Sequence, residues 1–139
     1  MRVLIVSAFM AASAIAPLSA SAQTYEEAAA SGVSPATGGE MLDCAFYWSA
    51  WAQSLNPNHY GEGSGIWDPS WIETLNPAIR LPAAEETAQY WFLQAQADYE
   101  KYDDRAEYDQ RMLDAPEFDV EALDERKFMR LLGECARPE

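Results

Sequence analysis

One histidine, His59, lies in a glycine-rich stretch, Asn58-His-Tyr-Gly-Glu-Gly-Ser-Gly-Ile66. A single imidazole puts a histidine-built zinc site and the paired histidines of a metalloprotease out of reach of one chain. The roles left to it are a general base or the rim of a pocket, shared with Tyr60. The two thiols, Cys44 and Cys135, lack Cys-x-x-Cys spacing and an adjacent cationic cluster that would lower a thiol pKa. Structural pairing is therefore expected of them rather than redox catalysis. Phosphate loops, dinucleotide fingerprints, Gly-x-Ser-x-Gly nucleophile turns and haem attachment motifs are absent. No cofactor, no metal site and no catalytic residue are expected.

The run Asp98-Tyr-Glu-Lys-Tyr-Asp-Asp-Arg-Ala-Glu-Tyr-Asp109 is the densest in carboxylates. It lacks the glycine turn and alternating ligands of a calcium loop, so it reads as a solvated helix face. Its functional alternative is a surface for a cationic protein or peptide, with Tyr99, Tyr102 and Tyr108 adding contact area that charge alone does not. Five tryptophans are many for a chain of this size. Trp48, Trp67 and Trp71 are expected to wall an aromatic pocket, with His59 and Tyr60 at its rim.

Charge narrows the partners. The chain carries −14 at pH 7, which repels nucleic acid phosphates and anionic lipid headgroups. Residues 1–22 read as a signal peptide: Arg2, a short apolar run from Val3 to Ile15, Pro17, and Ala20-Ser21-Ala22 before a new N-terminus at Gln23. The run is too short to span a bilayer, which needs about 20 apolar residues, and no longer one follows. An exported protein is expected, with the bacterial periplasm as its compartment or, alternatively, the cell exterior. In an oxidising compartment the two cysteines admit one internal bridge, Cys44 to Cys135.

The elements that must position these groups are helical. Residues 23–39 are expected to be a flexible segment and linker, with a marginal helix from Thr24 that Gly32 ends. Thr37-Gly-Gly-Glu40 has capping-box spacing ahead of a helix whose stripe is Met41, Cys44, Trp48, Trp51, Ala52 and Leu55. Asn56-Pro57 ends it. Asp68-Pro69 starts a short helix ending at Asn76-Pro77, so that Trp51-Ala-Gln-Ser-Leu-Asn-Pro57 echoes Trp71-Ile-Glu-Thr-Leu-Asn-Pro77. The plain account of this echo is two helices ending against one core.

From Pro82 no proline or glycine intervenes until Pro116. One long helix of about 31 residues, or 46 Å, is expected there, projecting past the core or kinking, with Ala84, Ala88, Trp91, Ala95, Tyr99, Tyr102, Ala106 and Leu113 inward. A last helix capped by Asp119 should bury Leu123, Phe128, Leu131, Leu132 and Cys135. The fold class is all-α: a small irregular bundle of about four helices with one long helix, pinned by one disulfide, over a single domain at 40–139. The functional expectation is a noncatalytic interaction factor, of inhibitor, immunity or chaperone-like type, for a basic or unfolded partner. The alternatives are an enzyme or small-molecule binder at the His59 loop and a structural envelope component.

Overall fold

The computed structural model of the chain describes residues 20–58, 67–118 and 125–139. Within them the protein is all-α: α1 (Ala20–Ala30), α2 (Gly38–Leu55), α3 (Pro69–Ile72), a 3-10 turn at Pro77–Ile79, α4 (Ala83–Lys101), α5 (Arg105–Leu113) and α6 (Glu125–Glu134). The Cys44–Cys135 disulfide is formed, with Cα atoms 5.3 Å apart. Among the described residues no helix is long and apolar enough to cross a membrane. Residues 1–19 of the expected leader, the Asp119 cap and Leu123 lie outside these residues, whereas residues 20–22 open α1.

Two helix pairs make the bundle. α2 packs along α4, and α1 packs along α6, bringing the first and last of the described helices together. α2 touches α6 more sparingly, so the sulfur bridge is the principal strap between the pairs. Two indoles reinforce it. The carbonyl of Cys135 ends α6 without an intrahelical partner and accepts the Trp48 indole N–H at 2.8 Å and the Trp91 indole N–H at 2.7 Å. A helix terminus leaves such carbonyls unsatisfied, and a carbonyl has two lone pairs to fill.

α2 starts where its capping box sets it. Thr37 Oγ1 accepts the Glu40 N–H at 3.2 Å, and the Glu40 carboxylate accepts the N–H groups of Ala36 and Thr37 at 2.8 and 3.1 Å. Those two backbone donors, Ala36 first, hold the Glu40 carboxyl below the usual carboxylate range. A carboxyl whose pKa is depressed by folding stabilises the protein above its unfolded value and loses that contribution as pH falls through its folded value. Glu40→Gln keeps a capping oxygen but cannot titrate, so its melting temperature should fall less steeply between about pH 5 and 3 than that of the parent. Parallel curves would show that the box does not persist in solution.

The echo between the two Trp-to-Pro segments is a shared stop. Ser54 Oγ donates to the Trp51 carbonyl at 2.7 Å, and Thr74 Oγ1 donates to the Trp71 carbonyl at 2.6 Å. Leu55 and Leu75 are both buried. Asn56 Oδ1 accepts the Asn58 N–H, and Asn76 Oδ1 accepts the Ala78 N–H, each at 2.9 Å. In both copies the hydroxyl draws on the last turn, the leucine anchors it and the asparagine side chain turns the chain two residues on. The two copies meet, with the Trp51 and Trp71 ring centroids 6.4 Å apart.

The long helix is interrupted. α4 ends at Lys101, and the next residues form a Schellman stop: Asp103 N–H to the Glu100 carbonyl at 3.2 Å and Asp104 N–H to the Tyr99 carbonyl at 2.9 Å. Asp103, at φ +59°, occupies the left-handed position that glycine usually takes. Ala84, Ala88, Trp91, Ala95 and Tyr99 are buried as the stripe requires, but beyond the break its register is lost. Tyr102 and Leu113 are 63% and 81% exposed, and Tyr108 turns inward instead. Tyr108 joins Leu42, Phe46, Ala95 and Tyr99 in a second, smaller core.

The segment expected to be flexible contributes to the main core. Tyr25 is buried with its ring edge-on to Trp48 at 6.2 Å, and α1 begins at Ala20 rather than at a Thr24 cap. Gly32, at φ +76°, closes it. The α1–α6 contact depends on Gly133, where a Cβ would stand 2.5 Å from the Tyr25 carbonyl oxygen and 2.6 Å from Ala28 Cβ. Helix propensity alone predicts that Gly133→Ala stabilises by up to about 1 kcal/mol. The packing reverses the sign: α1 must shift away, and a loss of about 1–3 kcal/mol is expected in denaturant titration.

Candidate functional site

The five tryptophans divide by role. Trp48 is fully buried and belongs to the centre of the main core, so it walls no pocket. Trp67 and Trp71 are half-buried and stack on each other with centroids 4.9 Å apart. Both rest on Trp51, not on Trp48, and the Trp67 indole N–H is held by Ser54 Oγ at 3.0 Å. The buried Ser54 hydroxyl thus links the Trp51 carbonyl to the Trp67 indole. His59 and Tyr60 lie outside the described residues. The Trp67–Trp71 stack is therefore a half-open aromatic face, and Trp51 is the residue that sequence reasoning left out of it.

Of the three tyrosines expected on the acidic surface, Tyr102 is there, and Tyr99 and Tyr108 are not. Tyr99 is buried against Tyr108, and its hydroxyl accepts from Arg111 at 3.2 Å. The same guanidinium donates to the Gly39 carbonyl at 3.2 Å and to Asp43 at 2.6 Å, tying α5 to the start of α2. The Tyr99 contact first, and Asp43 with it, raises the Arg111 pKa above its ordinary value, so this cation is fixed and internally spent. Arg105 is spent likewise, between Glu100 and Asp109, each at 2.9 Å. The break between α4 and α5 also takes Asp104 out of the helical register in which it would repel Glu100.

Below α5 a cleft of about 450 Å³ opens between α2, α4 and the turn after α5. Phe46 and Ala50 of α2, Phe92 of α4 and Met112 of α5 form its apolar walls, with Ala115 to Phe118 closing one side. Phe46 and Phe92 meet edge to face at 5.8 Å. Sequence reasoning missed it because it followed only one stripe of α2. Leu42 and Phe46, four apart, mark a second stripe on the same helix.

Catalytic or metal-binding geometry does not emerge among the described residues. No group of three His, Cys, Asp or Glu side chains is placed to hold a metal ion, and no buried side-chain nitrogen or oxygen lacks a hydrogen-bond partner. What fold and site together define is a small disulfide-strapped helical bundle with an acidic face beside an apolar cleft. No family model, curated protein or solved structure matches the chain.

Proposed function

We propose that this protein is an exported, noncatalytic interaction factor that engages a basic partner through its acidic face. The observation that carries this reading is the spent state of the local cations. Between Asp98 and Glu117 eight carboxylates face three cations, of which Arg105 and Arg111 are already committed to Glu100, Asp109 and Asp43. Asp98 and Asp114 accept from the Gly38 N–H and the Gln110 amide, which leaves Asp103, Asp104, Glu107 and Glu117, beside the exposed Tyr102 ring, to meet a cationic surface. Export to the periplasm is supported by the leader-like residues 1–22 and by the disulfide.

The test is capture from a periplasmic extract on immobilised protein, first at low and then at high salt. Basic partners released by salt, and lost when Asp103, Asp104 and Glu107 are changed together to Asn, Asn and Gln, are the expected result. Capture indifferent to both salt and the triple variant would overturn the reading. A second reading, a small-molecule site that uses the Trp67–Trp71 face, is favoured by the partial exposure of that stack. Quenching of tryptophan fluorescence by a ligand, abolished by both His59→Ala and Trp67→Ala, would support it; loss with neither would remove it.

A further inference from the structure

We infer that the cleft between α2, α4 and the turn after α5 receives a large apolar side chain presented on a Lys- or Arg-flanked segment of the partner. This rests on the basic-partner reading and adds the place and chemistry of contact. The volume of about 450 Å³ lies within the range of about 300–1,000 Å³ typical of ligand pockets. Three phenyl rings and a thioether line it, and methionine adapts to side chains of different shape. Met112 is 38% exposed, so the cleft is open to solvent at α5.

Charge selects the occupant. Among the lining residues Glu117 is the one that is charged, and Asp114 lies three residues before it along the chain. The nearest arginine along the chain, Arg111, points away to Asp43 and Tyr99. A second copy of the chain would bring another −14 to this rim, and an acidic peptide would be repelled in the same way. A cationic segment gains from the rim, and its apolar residue gains from the walls.

Three synthetic peptides test this by titration calorimetry on the purified, disulfide-bonded chain: one alternating Lys and Trp, one Lys and Ser, one Glu and Trp. The Lys/Trp peptide should bind about tenfold or more tightly than either of the others, a difference of about 1.4 kcal/mol. Ala115→Trp, on an exposed turn residue, should fill the cleft and weaken that peptide about tenfold. Glu117→Lys should also weaken it, whereas Glu27→Lys, the same charge change on exposed α1, should leave it within about twofold. If Ala115→Trp shifts the melting temperature, Glu117→Lys against Glu27→Lys decides. Equal binding of the Lys/Trp and Lys/Ser peptides, or unchanged binding by both cleft variants, overturns the cleft while leaving the basic-partner reading standing. Failure of both lysine peptides to bind at low salt overturns both.

Discussion

Replacing Cys44 and Cys135 together by alanine should lower the unfolding free energy by up to about 4.6 kcal/mol, the chain-entropy value for closing a loop of this size. The sequence separation is 91 residues, and every described helix except α1 lies wholly or largely within the loop. The structure adds where the loss appears first. α1 and α6 hold each other, and their firmest connection to α2 and α4 is the bridge with the two indole bonds to the Cys135 carbonyl. Without the sulfur strap the α1–α6 pair should separate before the α2–α4 pair does. Hydrogen exchange should therefore accelerate most in residues 24–30 and 126–135, and denaturant titration should give the overall loss. A change below about 1 kcal/mol, or uniform acceleration, would contradict the two-pair description.

Trp51→Ala is the second large effect. The side chain is 1% exposed, its indole N–H donates to the Ile79 carbonyl at 2.7 Å, and its ring touches Trp67, Trp71 and Phe128 at centroid distances of 6.0, 6.4 and 6.0 Å. Truncating a buried tryptophan to alanine costs about 3–5 kcal/mol. Orphaning the Ile79 carbonyl adds about 1–3 kcal/mol if water cannot reach it. Trp51→Phe separates the two contributions, because it keeps much of the volume and loses the donor. It should fall between parent and alanine variant in thermal and denaturant unfolding. Both variants should also dim the near-ultraviolet circular dichroism of the Trp51–Trp67–Trp71 group. An alanine variant as stable as the parent would mean that these rings do not pack as a unit.

Local rules decided what local chemistry decides. The Thr37–Glu40 box, the Asp68 cap, the asparagine-proline stops and the cysteine pairing each rest on residues whose hydrogen bonds or covalent options are few, so their types alone predicted them. The all-α class followed from apolar spacing along α2, α4 and α6. The break at Asp103 was hidden because the left-handed position is held by aspartate, and no glycine or proline marks it. Two consecutive aspartates of low helix propensity were the one available signal.

Apolar periodicity shows that a helix has a buried side and leaves unsaid which helix covers it. The tryptophan content predicts one pocket walled by Trp48, Trp67 and Trp71, yet tertiary packing gives Trp48 to Tyr25 and the Cys135 carbonyl, and gives Trp67 to Trp51 and Ser54. Likewise only the folded chain sets Gly133 against Tyr25 and opens the cleft beside Phe46 and Phe92. Caps, stops and the disulfide are fixed by the few partners their atoms accept, whereas the choice among apolar neighbours is non-directional and is made only when every helix competes for the same space.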